Sequence, residues 1–152
     1  MTASESTGAG PRSKTPVHLW IVGVLALLWN CLGAFDYLAT QLQLESYMGS
    51  FTPEQLEYFY GIPAWAVSGW ALAVWIGLVG SIGLLMRRKW SVVAFTISLI
   101  GLAVSSIHTI VLSDGLEIMG GAATVMTVVI WVISIFLVWY SRQQAKAGVL
   151  TS

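Results

Sequence analysis

The sequence is poor in charge and in cysteine. Asp, Glu, Lys and Arg together make up 9% of it, against roughly a quarter in soluble domains. With 57% of 152 residues hydrophobic, a soluble fold would lack the polar surface to wrap its own interior. A single cysteine, Cys31, excludes an internal disulfide and a cysteine-rich metal site. The seven basic residues form no patch of the nucleic-acid-binding kind. There is no HExxH, no P-loop and no Ser–His–Asp order with workable geometry. Gly120-Gly121 follows no strand and is not a nucleotide loop. These absences predict a protein that is not an enzyme and has no cofactor, no metal and no nucleic-acid partner.

What is present is apolar length. Runs of about twenty apolar residues are long enough to cross a bilayer, and four occur, at 17–39, 64–86, 90–112 and 120–140. The expected fold is all-α: a four-helix transmembrane bundle with a short interfacial helix between spans 1 and 2. Residues 1–16 are rich in Ser, Thr, Gly and Pro and predict a disordered tail. The apolar run after them exceeds the roughly 7–15 residues of a signal-peptide h-region, and no small-x-small cleavage site follows. It is therefore expected to be a retained span. Cys31, in mid-helix, suits a small apolar filler.

Residues 41–63 form a polar, aromatic loop. Within it, Phe51-Thr52-Pro53-Glu54-Gln55-Leu56 reads as a helix start. Thr52 can cap, Pro53 suits the first helical position, Gln55 completes a capping box, and Phe51 and Leu56 have the spacing of a hydrophobic staple. That helix should run to about Tyr60, with Gly61 and Pro63 stopping it. Arg87-Arg88-Lys89 is a tight turn between spans 2 and 3, residues 113–119 a short acidic loop, and residues 141–152 a polar tail.

Charge predicts the orientation. All seven basic residues fall in the N-terminal tail (Arg12, Lys14), the turn between spans 2 and 3 (Arg87, Arg88, Lys89) or the C-terminal tail (Arg142, Lys146). Four spans place these segments on one side, and the positive-inside rule makes it cytoplasmic. Asp36, Glu45, Glu54, Glu57, Asp114 and Glu117 fall on or toward the other side. The expected location is a bacterial inner membrane, multi-pass, with both termini in the cytoplasm.

Polar residues inside spans need partners. At ~1.5 Å per residue, Asp36 lies ~28 Å along span 1 and His108 ~27 Å along span 3. Both reach the same depth near the outer boundary, with Asn30 deeper. On span 1, Asn30, Gly33, Asp36, Tyr37 and Thr40 share an arc of about 120°. On span 3, Ser98, Gly101, Ser105 and His108 share about 80°. Span 2 carries small residues at Ala66, Gly69, Ala73, Gly77 and Gly80, a spacing that lets helices approach closely. The expected site is an outward-facing pocket lined by Asn30, Asp36, Tyr37, Thr40 and His108. Glu117 and the 51–60 helix would form its rim. An Asp beside a His can take a proton, a cation or a polar solute. The competing structural reading leaves Asp36 and His108 hydrated or paired only for packing, and makes Asn30 interhelical glue. His18 reads as an inner-interface residue, and Trp65, Trp70 and Trp75 as facing lipid or a partner.

The segments WNCLGAFDYLATQ (29–41), FTPEQLEYFYGIPAW (51–65) and DGLEIMG (114–120) resemble a family of small, largely uncharacterised four-span bacterial inner-membrane proteins. Some members of that family are labelled sugar transporters. The resemblance covers about residues 17–150. It implies the four-span fold and brings no catalytic residues. Two function classes stay open. One is binding or transport of a small solute or ion at the outward pocket, by a homo-oligomer. The other is a non-enzymatic accessory subunit that packs on a larger membrane complex through the small-residue stripe or the tryptophans. Besides another membrane protein or a second copy, the expected partner is the lipid bilayer.

Overall fold

The computed structural model describes residues 14–152, so the expected disordered tail up to residue 13, with Arg12, lies outside the described residues. Among the described residues, four helices are long and apolar enough to cross a membrane: α1 (Val17–Gln41), α4 (Ala64–Leu85), α5 (Trp90–Leu112) and α7 (Gly121–Lys146). The shortest has 22 residues, ~33 Å at 1.5 Å per residue, enough for a hydrocarbon core of ~30 Å. The chain is an integral membrane protein. Large aliphatic side chains such as Leu25, Leu32, Val93, Val111 and Val132 lie exposed, where lipid rather than water would meet them.

Three short helices cap the end where the acids gather: α2 (Glu45–Met48), α3 (Pro53–Tyr60) and α6 (Gly115–Met119). The expected capping box of α3 is present, with Pro53 in its first turn. Thr52 Oγ1 accepts from the Gln55 N–H at 3.2 Å, and Gln55 Oε1 accepts from the Thr52 N–H at 3.1 Å. Helix α2 was not expected, and the acidic loop at 113–119 contains α6. Both are a single turn or little more, too short to leave an amphipathic signature.

Helix α1 packs along Gly77–Leu85 of α4 and touches Leu72–Ile76, but does not pack along Ala64–Ala71. Helix α5 packs along all of α4, and α7 packs on α5. The small-residue stripe of α4 is consumed inside the chain. A Cβ on Gly69 would stand 2.8 Å from the Gly101 carbonyl oxygen, and one on Gly80 3.0 Å from the Phe95 ring. The stripe is therefore not free to dock a partner.

Two stretches are wound as π-helix, Leu72–Ile76 in α4 and Ile107–Leu112 at the end of α5. A π turn inserts an extra residue and loosens the backbone ladder. Side chains supply hydrogen bonds at both places. Ser98 Oγ donates to the Ala73 carbonyl at 2.6 Å, and Ser113 Oγ to the His108 carbonyl at 2.7 Å.

The last span runs past the expected Tyr140 to Lys146, and the residues after it fold back. Val149 and Leu150 join a buried cluster with Leu19, Ala26, Leu84, Phe95, Leu137 and Tyr140. The Thr151 N–H donates to the Arg87 carbonyl at 2.8 Å, and the Lys89 N–H to the Thr151 carbonyl at 3.0 Å. Arg87 also donates to Thr15 Oγ1 at 2.7 Å. What reads as a polar tail is thus a clasp on the turn between α4 and α5. Two apolar residues among polar ones carry no periodicity, so only packing reveals it.

Two outcomes test this packing, read as thermal unfolding in mild detergent. Leu150→Ala should lose about 2–5 kcal/mol, the cost of emptying a fully buried leucine site. Gly69→Leu should lose about 1–3 kcal/mol or fail to fold, whereas Gly121→Ala, with nothing within 4 Å of its added methyl, should change stability by less than about 1 kcal/mol.

Candidate functional site

A close polar crossing in the bundle lies at Gly77. A side chain there would collide with Asn30 Oδ1 and stand 3.0 Å from Ser98 Oγ. Asn30 Nδ2 donates to the Ala26 carbonyl at 2.8 Å and to Ser81 Oγ at 3.0 Å. Ser81, fully buried, passes its own proton to the Gly77 carbonyl at 2.9 Å. Asn30 therefore joins α1 to α4, the role of interhelical glue.

Beyond this crossing a cavity of about 410 Å³ extends toward the acidic end, lined by all four spans. Helix α1 gives Trp29, Asn30, Gly33 and Asp36. Helix α4 gives Trp70, Ala73 and Gly77. Phe95 and Ser98 come from α5, and Met126, Ile130 and Ser134 from α7. The wall is mostly apolar. It exists because α1 leaves α4 above the crossing and is not packed along α7. At the other end the two helices are tied: His18 Nδ1 and the Tyr140 hydroxyl share a hydrogen bond, with the rings edge-on at 5.7 Å.

Asp36 sits where α1 meets the loop helices. Its carboxylate accepts a hydrogen bond from the Tyr47 hydroxyl of α2, and Tyr47 also lines the cavity. Burial, then this hydrogen bond and the Asp36 charge, push the Tyr47 phenol from its ordinary 10.0 up to about 12. Tyr47 in turn packs edge-on against Phe35 and Phe51. Sequence reasoning missed Tyr47. Its only signal is an aromatic hydroxyl eleven residues after an intramembrane acid, across an unrecognised turn.

The expected residues divide between separate places. Asn30 and Asp36 line the large cavity. Tyr37 turns toward α4, edge-on to Trp70 at 5.1 Å and Trp75 at 6.2 Å. Thr40 is buried at 3% exposure. His108 lines a second cavity of about 350 Å³ with Glu54, Glu57, Tyr58, Gly61, Ser113 and Ile118. Its ring stacks on Tyr58 and meets Trp65 edge-on, both at 6.0 Å. Its Nδ1 is buried without a hydrogen-bond partner among the described residues. Helix α3 covers this second cavity, with Gln55 Nε2 donating to the Ile118 carbonyl at 3.3 Å. Glu117 is exposed on α6 and lines neither cavity.

Asp36 and His108 therefore do not share a pocket. The face of α5 that carries Ser98, Gly101 and Ser105 is occupied by α4, as the contacts at Ala73 and Gly69 show. Helix α1 diverges from α4 toward this end, and its carboxylate meets Tyr47 instead. No group of three or more His, Cys, Asp or Glu able to hold a metal occurs among the described residues.

Comparison with protein-family models, with curated proteins and with solved structures gave no match to this chain.

Two measurements probe the site's chemistry. Ultraviolet absorbance titration should show one tyrosine ionising near pH 12, and Asp36→Asn should lower that value only part of the way, because burial is the larger cause. The folded chain holds this proton to higher pH than the unfolded one. Its contribution to stability is complete below about pH 10 and is lost as pH rises toward 12. Asn30→Ala should reduce stability by about 1 kcal/mol, in line with interhelical hydrogen bonds in membranes.

Proposed function

We propose that this protein binds a small amphipathic solute within the membrane, in the cavity between α1 and α7. The observation that carries the reading is the form of that cavity. It has a volume of about 410 Å³, a mostly apolar wall and a few polar groups at fixed places, the usual make-up of a small-molecule site. The seam between α1 and α7 offers a lateral approach from lipid, and the Asp36–Tyr47 pair marks the polar end. In this reading the protein is a binding protein rather than an enzyme. The basic end, with Arg87, Arg88 and Lys89, faces the cytoplasm of a bacterial inner membrane, and the acidic end faces outward. Transport would need a second copy, because four helices make a thin wall around a pathway.

A neutral aryl-diazirine alcohol tests the reading. Photolysis in membranes followed by peptide mass spectrometry should label Trp70, Phe95 and Met126, and Ile130→Trp should abolish that labelling while the melting temperature stays within a few degrees. Label confined to lipid-facing residues such as Ile21, Val24 and Leu25 would overturn it.

A second reading, a non-enzymatic accessory subunit of a larger membrane complex, draws on the position of α7. It is the least enclosed span and packs mainly on α5. A stoichiometric foreign membrane protein recovered in a mild-detergent pull-down would favour that reading.

A further inference from the structure

The cavity's polar groups differ in what they leave for an occupant. Asn30 commits its amide protons to the Ala26 carbonyl and Ser81. Ser98 commits its hydroxyl proton to the Ala73 carbonyl, and Tyr47 commits its own to Asp36. What these groups still offer is oxygen: the carbonyl of Asn30, the lone pairs of Ser98 and the second carboxylate oxygen of Asp36. Ser134 can serve either way, and the indole N–H groups of Trp29 and Trp70 are the donors left on the wall. Among the described residues, no Lys, Arg or His lines the wall, and Asp36 is the one carboxylate in it. An anion would therefore meet no countercharge and would lie against a carboxylate.

The surroundings act in the same direction. Residues 41–63 and 113–119 hold Glu45, Glu54, Glu57, Asp114 and Glu117 and no basic residue. A molecular end of one sign concentrates ions of the opposite sign near it. The rings of Trp29, Trp70 and Tyr47 line the same space, and aromatic faces attract ammonium groups.

We infer that the occupant is a small amphipathic cation, an ammonium head on an apolar body, held with its head at Asp36 and its body toward Phe95 and Ile130. This rests on the cavity being a binding site, and it adds the sign of the ligand's charge and the polarity of its hydrogen bonds. The Tyr47 hydroxyl holds one carboxylate oxygen in place and leaves the other to the ammonium.

Competition against the aryl-diazirine alcohol tests the inference with three probes that share one apolar body: phenylbutylammonium, phenylbutanol and phenylbutyrate. The ammonium should suppress cavity labelling at about tenfold lower concentration than the alcohol, a gap of about 1.4 kcal/mol, and the carboxylate should compete least. Asp36→Asn should bring the ammonium and alcohol values together. Tyr47→Phe, which keeps the carboxylate and frees the oxygen that the hydroxyl held, should preserve or widen the gap, so the test stands even if Asp36→Asn does not fold. Equal competition by all three probes would overturn the cationic preference and leave the cavity as a site. Absence of cavity labelling before any competitor is added would overturn both.

Discussion

The structure depends on one close crossing inside the bilayer-spanning region. At Gly77 the side-chain amide of Asn30 and the hydroxyl of Ser98 converge on a backbone with no Cβ in the way. Away from water, each polar group must find its partner within the protein. Asn30, Ser81 and Ser98 place their donor hydrogens on one another and on the carbonyls of Ala26, Ala73 and Gly77. The contact is both steric and electrostatic: the glycine permits the approach, and the hydrogen bonds fix which residues meet.

The rest of the architecture follows from where this crossing lies. Below it, toward Arg87–Lys89, the helices converge on Leu19, Leu84 and Leu150, and the returning Val149–Thr151 segment seals the end. Above it, α1 diverges from α4 and is not packed along α7. A cavity opens in the gap. The π turn at Leu72–Ile76 lies beside it and contributes Ala73 and Val74 to its wall. The same hydrogen bonds that hold the crossing use up the amide and hydroxyl protons nearest the cavity. The atoms that hold the bundle together thus also set which hydrogen-bonding groups the cavity wall presents.

Much of the fold was legible in the chain. Apolar run length gave the four spans to within two residues at most ends, because hydrocarbon thickness sets a minimum that composition alone can meet. The helix start at Thr52–Gln55 was legible from local chemistry: a capping box closes within four residues and needs no tertiary help. Asn30 as a link between helices was legible from its burial depth. The site was only half legible. The helical rise put Asp36 and His108 at one expected depth and the arcs put each on a polar face, but an arc gives a direction relative to its own axis, not to a neighbour that diverges. The π turns further shift the angular count, and nothing in the residues Leu72–Ile76 announces one.

The division between sequence and tertiary structure follows the range of the forces involved. Partition into lipid, helix length, end caps and the segregation of charge are properties of a segment and its solvent, so the chain alone determined a four-span, all-α membrane protein with one basic and one acidic end. Which polar groups meet depends on how far two axes separate over about 30 Å of bilayer, and on what fills the space between them. That was decided only by the packed structure: Tyr47 rather than His108 on Asp36, α4 rather than α1 on the polar face of α5, and Leu150 buried at the basic end.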